Sequence, residues 1–452
     1  MNALDSYLES NSKRHLDEFF DFLRIPSIST DPAHSEDVDN CADFLVQQFK
    51  SIGFQVEKVA TDGHPIVYAE WLGAPDKPTV LYYGHYDVQP PDPLELWDSP
   101  PFEPTIRDGA VVARGASDDK GQVFAHIKAF EALMAIDNRM PINIKVLIEG
   151  EEESGSSNLD PFIKSYRDRL NADVVLVSDT AMFDRETPSI CYGLRGLAYF
   201  QINVTGPSRD LHSGSFGGAV DNPINALCYL INRLKDRDGV IQIPGFYDSV
   251  LKLSDTERQE LSQLPFDEPA FLGEVNAKAF GERGFSTLER IGARPALDVN
   301  GIWGGYTGEG AKTVLPSKAH AKVSMRLVPN QSPAEIAVKF QDYLNTISPD
   351  SVQVSVESMH GGEPSVSDRS SPFVAASSRA LEALFGKPPL FVREGGSIPV
   401  VSSFNQILGL DTILAGFGLA NDRIHSPNEK FELDCFRTAA RFGVRVWHEM
   451  AQ

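Results

Sequence analysis

Leu81-Tyr82-Tyr83-Gly84-His85-Tyr86-Asp87 is an apolar run that ends in a histidine and a carboxylate. A short buried strand closing on polar side chains is the unit of an α/β sheet, and ligands gather off the carboxyl ends of such strands. Residues 142–148, 174–177 and 412–417 have the same form. Up to about residue 194 these runs alternate with helical patterns, the signature of βαβ units around a largely parallel sheet.

Working outward, the texture changes from about residue 196 to 359, where residues 198–204 and 322–327 alternate cleanly between apolar and polar side chains. Two helix starts fall in this stretch. Asn222-Pro223 puts proline at the first helical position, and Ser332-Pro333-Ala334-Glu335 reads as a capping box opening a helix to about Ile347. The α/β texture then resumes with a helix opened by Ser371-Pro372 and closed by Gly386. At 452 residues the chain is too long for one ordinary core. The expected architecture is an α/β domain with a mostly parallel sheet, in two parts (1–194 and 361–452), interrupted by an inserted α+β domain over 195–360.

The net charge of −22 argues against nucleic acid and anionic membrane surfaces as partners, because both would be repelled. No apolar run approaches the roughly 20 residues needed to span a bilayer. Met1 to Arg24 is charged and amphipathic and lacks the pattern of a signal peptide, so cytoplasmic residence is the expectation. Cys41, Cys191, Cys228 and Cys435 are scattered without a CxxC pair and read as buried apolar fillers in a reducing compartment.

The chemistry concentrates where runs end. His85 is either a satisfied histidine at a strand end or a metal ligand. Two residues apart in extended chain, Asp87 lies on the same face and can accept its second ring N–H. Asp118-Asp119, before a helix carrying Phe124, Ile127, Phe130 and Leu133, are either N-terminal capping carboxylates or ligands. Glu149-Gly150-Glu151-Glu152-Glu153 follows an apolar strand, and so many acids near a core are costly to gather without cations. Asp179 ends another strand, and His425 follows Gly416-Phe417-Gly418. Imidazole and carboxylate together suit zinc, and the lack of cysteine ligands points to a catalytic rather than a structural site.

These motifs, in this order, resemble the M20 metallopeptidases, and within them the cytosolic non-specific dipeptidases and carnosinases. The likeness is carried by Gly84-His85-Tyr86-Asp87-Val88-Gln89-Pro90, residues 115–121, residues 149–156, Asp210-Leu211-His212-Ser213-Gly214, Arg326-Leu327-Val328-Pro329, Arg393-Glu394-Gly395-Gly396-Ser397-Ile398-Pro399 and residues 425–430. It implies a zinc-peptidase catalytic domain and an inserted lid that also forms a homodimer. It further implies two divalent metal ions per subunit, zinc first, with manganese or cobalt also suited.

Residue by residue, the resemblance makes His85 and Asp179 ligands of one ion and Glu153 and His425 ligands of the other, with Asp118 bridging. Asp87 would orient His85, and Glu152 would be the general base for a water shared by both ions that attacks the peptide carbonyl. Glu152-Glu153 take these roles because the acid pair directly precedes Ser154-Gly155-Ser156; the extra Glu151 leaves the register open by one residue. His212 would donate to the oxyanion from the neighbouring subunit. Arg326, Thr313, Arg393, Glu394 and Ser397 would hold the substrate. The Asp118–Asp119 peptide would be cis. The implied activity is hydrolysis of dipeptides. An N-acyl-amino-acid deacylase or carboxypeptidase on the same scaffold is the alternative, and a non-catalytic ligand-binding relative is a third reading. Asp at position 179 and the long segment from about 245 to 306 favour the dipeptidase.

Overall fold

A computed structural model describes residues 1–396 and 398–452. The chain divides into two units. The first comprises Met1–Tyr192, Ser367–Phe391 and Ser403–Gln452, and the second Gly193–Val366 and Val392–Ser402.

The first unit is built on a twisted sheet whose centre is parallel. Thr79–His85 runs parallel to Asn143–Glu149 on one side and to Val174–Val177 on the other, and Thr412–Leu414 continues parallel to Val174–Val177. Ile66–Trp71 and Gln55–Val59 extend the far edge antiparallel. The central strands are buried along nearly their whole length, which is why they read as continuous apolar runs rather than alternating ones. The run at 412–417 is strand only to Leu414.

The helix Lys120–Asp137 is buried at almost every position from Lys120 to Leu133, and it packs against the helix Leu433–Met450. A Cβ at Gly443 would sit 2.6 Å from that of Ala129, so glycine there sets how closely the two helices approach. Phe19 stacks on Phe124 and Phe436 at 5.8 and 5.1 Å, and Trp447 on Phe130 at 5.5 Å. Aromatic pairs at these separations contribute beyond the area they bury.

The second unit carries an antiparallel sheet in the order Ala296–Gly304, Lys318–Leu327, Gly196–Thr205, Gln353–Gly362. Gly196–Thr205 and Lys318–Leu327 alternate inward and outward residues without a break. Their inward side chains pack on Leu227, Leu230, Ile336, Phe340 and Leu344 of the helices Pro223–Leu234 and Pro333–Ile347.

Three local expectations meet different outcomes. Asn222 caps its helix, its side chain accepting the Ile224 N–H at 2.9 Å. Ser332 does not form the expected capping box: its hydroxyl donates to Glu363 at 3.3 Å, and no side-chain cap bond is made. Proline at the first helical position is start enough for Pro333–Ile347. Cys41, Cys191 and Cys435 are buried as expected, but Cys228 is exposed, because it lies on the outer side of a helix whose core face is Ala226, Leu227, Leu230 and Leu234.

Candidate active site

His85 ends the strand Thr79–His85 and is fully buried. Its Nε2 lies 3.0 Å from Asp118 Oδ1 and 3.9 Å from Asp179 Oδ2. The other ring nitrogen sits 3.1 Å from the backbone carbonyl of Asp87 and 3.4 Å from its carboxylate. The expected orienting contact is therefore made chiefly by the main chain of Asp87. Its carboxylate instead accepts the N–H groups of Glu152 (3.2 Å) and Glu153 (3.0 Å) and the hydroxyl of Ser29 (2.6 Å). Asp87 thereby caps the turn Glu152–Ser154.

Asp118 stands between two histidines, with Oδ2 2.9 Å from His425 Nε2. The same His425 nitrogen lies 3.2 Å from Glu153 Oε1, and Gln89 donates to Glu153 Oε2 at 2.7 Å. The Asp118–Asp119 peptide is cis. A Cβ at Gly121 would fall on the Ala116 carbonyl, so only glycine lets this turn enter the helix so tightly. Two groups of ligand atoms result, His85/Asp118/Asp179 and Asp118/Glu153/His425, each with its atoms within 4.8 Å of one another and sharing Asp118.

The three adjacent glutamates separate in space. Glu151 is held by Asn158, at 3.0 and 2.9 Å from the amide nitrogen, and by the His64 N–H at 3.0 Å. Glu153 joins the His425 group. Glu152 is half-buried close to His85, Glu153, Asp118 and Asp87. Desolvation, with the charges of Glu153, Asp118 and Asp87 outweighing the opposing effect of His85, pushes its carboxyl up to about 7. Burial and the charges of Asp119 and Asp118 also push Asp179 well above the usual carboxylate range. Contacts to Asp118 and Glu153 push His425 up to about 10. Carboxylates this crowded hold protons or attract cations.

The donor set fits divalent metal ions. Imidazole nitrogen and carboxylate oxygen suit zinc, manganese or cobalt, and His85 has its second ring nitrogen hydrogen-bonded, as a ligating histidine requires. His85, Asp118 and Asp179 would hold one ion and Asp118, Glu153 and His425 the other.

The remaining expected residues that the structure describes lie in the second unit. His212, exposed, belongs to a short strand paired with Val314–Leu315, which places Thr313 beside it; the Ser213 N–H donates to the Thr313 carbonyl at 3.1 Å. His212 Nδ1 accepts the Gly214 N–H at 3.0 Å, so in the neutral ring the proton sits on Nε2 as an outward donor. Arg326 is half-buried near the end of Lys318–Leu327. Arg393 is paired with Glu257, its side chain 4% exposed. Burial pushes Glu394 up to about 7. Ser397 lies outside the described residues.

Two residues at the site were given no specific role by the sequence, although Asp119 stands in the acid pair before the helix and Glu429 within residues 425–430. Asp119 Oδ2 accepts the His85 N–H at 3.3 Å, and Glu429 sits fully buried beneath Asp118.

A pair of ligand groups sharing one carboxylate, off the carboxyl ends of a parallel sheet, defines the class of two-metal hydrolases. The pattern of peptidase family M20/M25/M40 matches residues 81–449, and the chain belongs to that family. It is 35% identical to the Cys-Gly metallodipeptidase dug1 of Schizosaccharomyces pombe over 474 aligned positions, covering 99% of this chain and 98% of the relative. It is 33% identical to the human Beta-Ala-His dipeptidase, over 86% of this chain and 78% of the relative. Among solved structures it superposes on the M20 metallo-carboxypeptidase Sso-CP2 of Sulfolobus solfataricus with a TM-score of 0.86, at 32% identity and 97% and 99% coverage.

Proposed function

We propose that this chain hydrolyses dipeptides at a centre of two divalent ions, zinc in the first instance. The observation that carries the reading is Asp118, one carboxylate held between His85 and His425 so that two ligand groups meet on it. The ions supply Lewis acidity, which makes a water nucleophilic near neutral pH and polarises the peptide carbonyl. Glu152 takes the proton released as water attacks and delivers it to the leaving amine nitrogen. Its burial and its negative neighbours raise its proton affinity toward that role. Asp87 steadies both His85 and the Glu152–Ser154 turn.

In the second unit, His212 presents Nε2–H as the oxyanion donor. By family resemblance it serves the neighbouring subunit's site, making the working form a symmetric dimer through this unit. Arg326 grips the substrate's terminal carboxylate, which a planar guanidinium suits, with Thr313 and Glu394 beside the substrate backbone. Arg393 takes part less directly, since Glu257 already matches its charge. No helix among the described residues is long and apolar enough to cross a membrane. The free cysteines suit the reducing cytoplasm.

The test is a panel of dipeptides, tripeptides, longer peptides with free C-termini and N-acetyl amino acids, offered to the zinc- or manganese-loaded protein. Dipeptides should be the fastest substrates. Preferred release of a C-terminal residue from longer peptides would favour the carboxypeptidase that the Sso-CP2 likeness supports, and acetate release with inert dipeptides would favour a deacylase.

A further inference from the structure

Glu429 is a charged residue with 0% exposure. Its Oε1 accepts the backbone N–H groups of Ser117 (3.0 Å) and Asp118 (3.2 Å). Its Oε2 accepts the Gly115 N–H (3.0 Å) and the Arg114 guanidinium (2.7 Å). Arg114, 1% exposed, also donates to the Pro90 carbonyl at 3.1 Å. A backbone whose N–H groups converge on one point is an anion-binding nest, and here the anion is a side chain four residues beyond His425.

The carboxylate therefore ties the turn that carries Asp118 to the loop that carries His425, and through Arg114 it reaches the stretch that follows His85. A second tie runs in parallel, because Asp422 Oδ2 accepts the Ser117 hydroxyl at 3.0 Å and the Leu419 N–H at 2.8 Å. The loop needs such holding. Arg423, His425 and Asn428 all have left-handed backbone, with φ of 56°, 62° and 62°, which residues other than glycine keep only where surrounding contacts over-determine it.

We propose that Glu429 is a positioning residue for the metal centre, setting Asp118 at the spacing from His85 and His425 at which one carboxylate serves both ligand groups. Charge-assisted bonds are shorter and about twice as strong as neutral ones, so the set around Glu429 fixes the turn firmly. Asp118 Oδ1 and Oδ2 then fall 3.0 and 2.9 Å from the two imidazoles. Glutamine keeps the shape at position 429 but turns an NH2 toward N–H donors and removes the charge facing Arg114. Loss of a partner that orients a metal ligand costs about 10–100-fold in metal affinity.

The inference rests on the two-metal reading and is tested by metal binding rather than by turnover. Metal-free wild type and Glu429→Gln are titrated calorimetrically with cobalt(II), and the visible absorption of the loaded proteins is compared. Wild type should take two ions, whereas Glu429→Gln should bind at least one of them about 10–100-fold more weakly, with an altered visible spectrum. Glu429→Asp, which keeps the charge but shortens the reach, should also weaken binding. A folded variant with wild-type affinity and spectrum would reduce Glu429 to a structural prop and overturn the inference. So would failure of both metal-free variants to fold, which would make its role one of folding. A wild type that takes up no pair of ions overturns the two-metal reading itself, and this inference with it.

Discussion

Glu151, Glu152 and Glu153 are chemically identical neighbours with three different surroundings. Asn158 and the His64 backbone occupy Glu151, His425 lies against Glu153, and Glu152 is half-buried near His85 and Asp118. Glu152→Gln should keep both metal ions yet lose about 10²–10⁴-fold in turnover. Glu151→Gln should keep turnover and instead lose about 1 kcal/mol of stability, because half-buried donors lose a charged acceptor. Steady-state kinetics beside thermal melts separates the two, and the opposite pattern would move the base by one residue. The family resemblance put the base at Glu152 and the ligand at Glu153 but left the register open by one residue, since a run of like residues carries no record of where each side chain points. Asp87 behaves in the same way: its closeness to His85 was legible, while its capping of Glu152 and Glu153 depends on a turn 65 residues away.

At the scale of elements, periodicity and terminal residues located the central strands of both sheets and the helices that open at Pro223, Pro333 and Pro372. What they left out was the pairing of charges between helices. Lys128 is buried, with Glu18 at 2.5 Å and Glu131 at 2.9 Å, and Arg14 and His15 also face Glu131. Burial pushes the Glu131 carboxyl up, but its contacts with His15, Arg14 and Lys128 outweigh this and hold it well below the ordinary value of 4.5. A carboxyl depressed in the folded state contributes stability above its unfolded pKa, and that contribution is lost as pH falls through the acid range. Glu131→Gln should therefore be less stable than wild type at pH 7, with the gap narrowing toward about pH 3.5. Urea unfolding at both values measures it, and a gap that stays constant would remove Glu131 from the acid sensitivity. Ser332 shows the limit of local rules from the other side, since its motif is complete and Glu363 takes its hydroxyl.

For the whole molecule the expected behaviour concerns assembly and substrate length. His212→Ala should lower turnover about 10²–10³-fold, like removal of an oxyanion donor. Mixed with Glu152→Gln under conditions of subunit exchange, it should regain partial activity, because one site of each mixed dimer then holds both residues. Exchange without recovery would place His212 at its own subunit's site. Amidating a dipeptide's C-terminus should cost about 1.5–3 kcal/mol in kcat/KM, the size of a hydrogen bond to a charged group. Arg326→Ala should impose a similar loss on free dipeptides and little more on amidated ones. Equal rates on free and amidated dipeptides would remove Arg326 from carboxylate recognition.

By itself the sequence determined the parallel core, the alternating sheet that interrupts it, and the histidines and acids that end the strands. These follow from short-range physics: side chains two positions apart on a strand, or three and four apart on a helix, share a face, and a buried strand needs an unbroken apolar run. Only the tertiary structure decided how the three glutamates divide, why Arg393 faces Glu257, that Val392–Ser402 belongs with the second unit, and that Glu429 holds the Asp118 turn. Glu429 and Asp118 are 311 residues apart. A hydrogen bond depends on distance and direction in space, and over such a separation the chain's own order specifies neither.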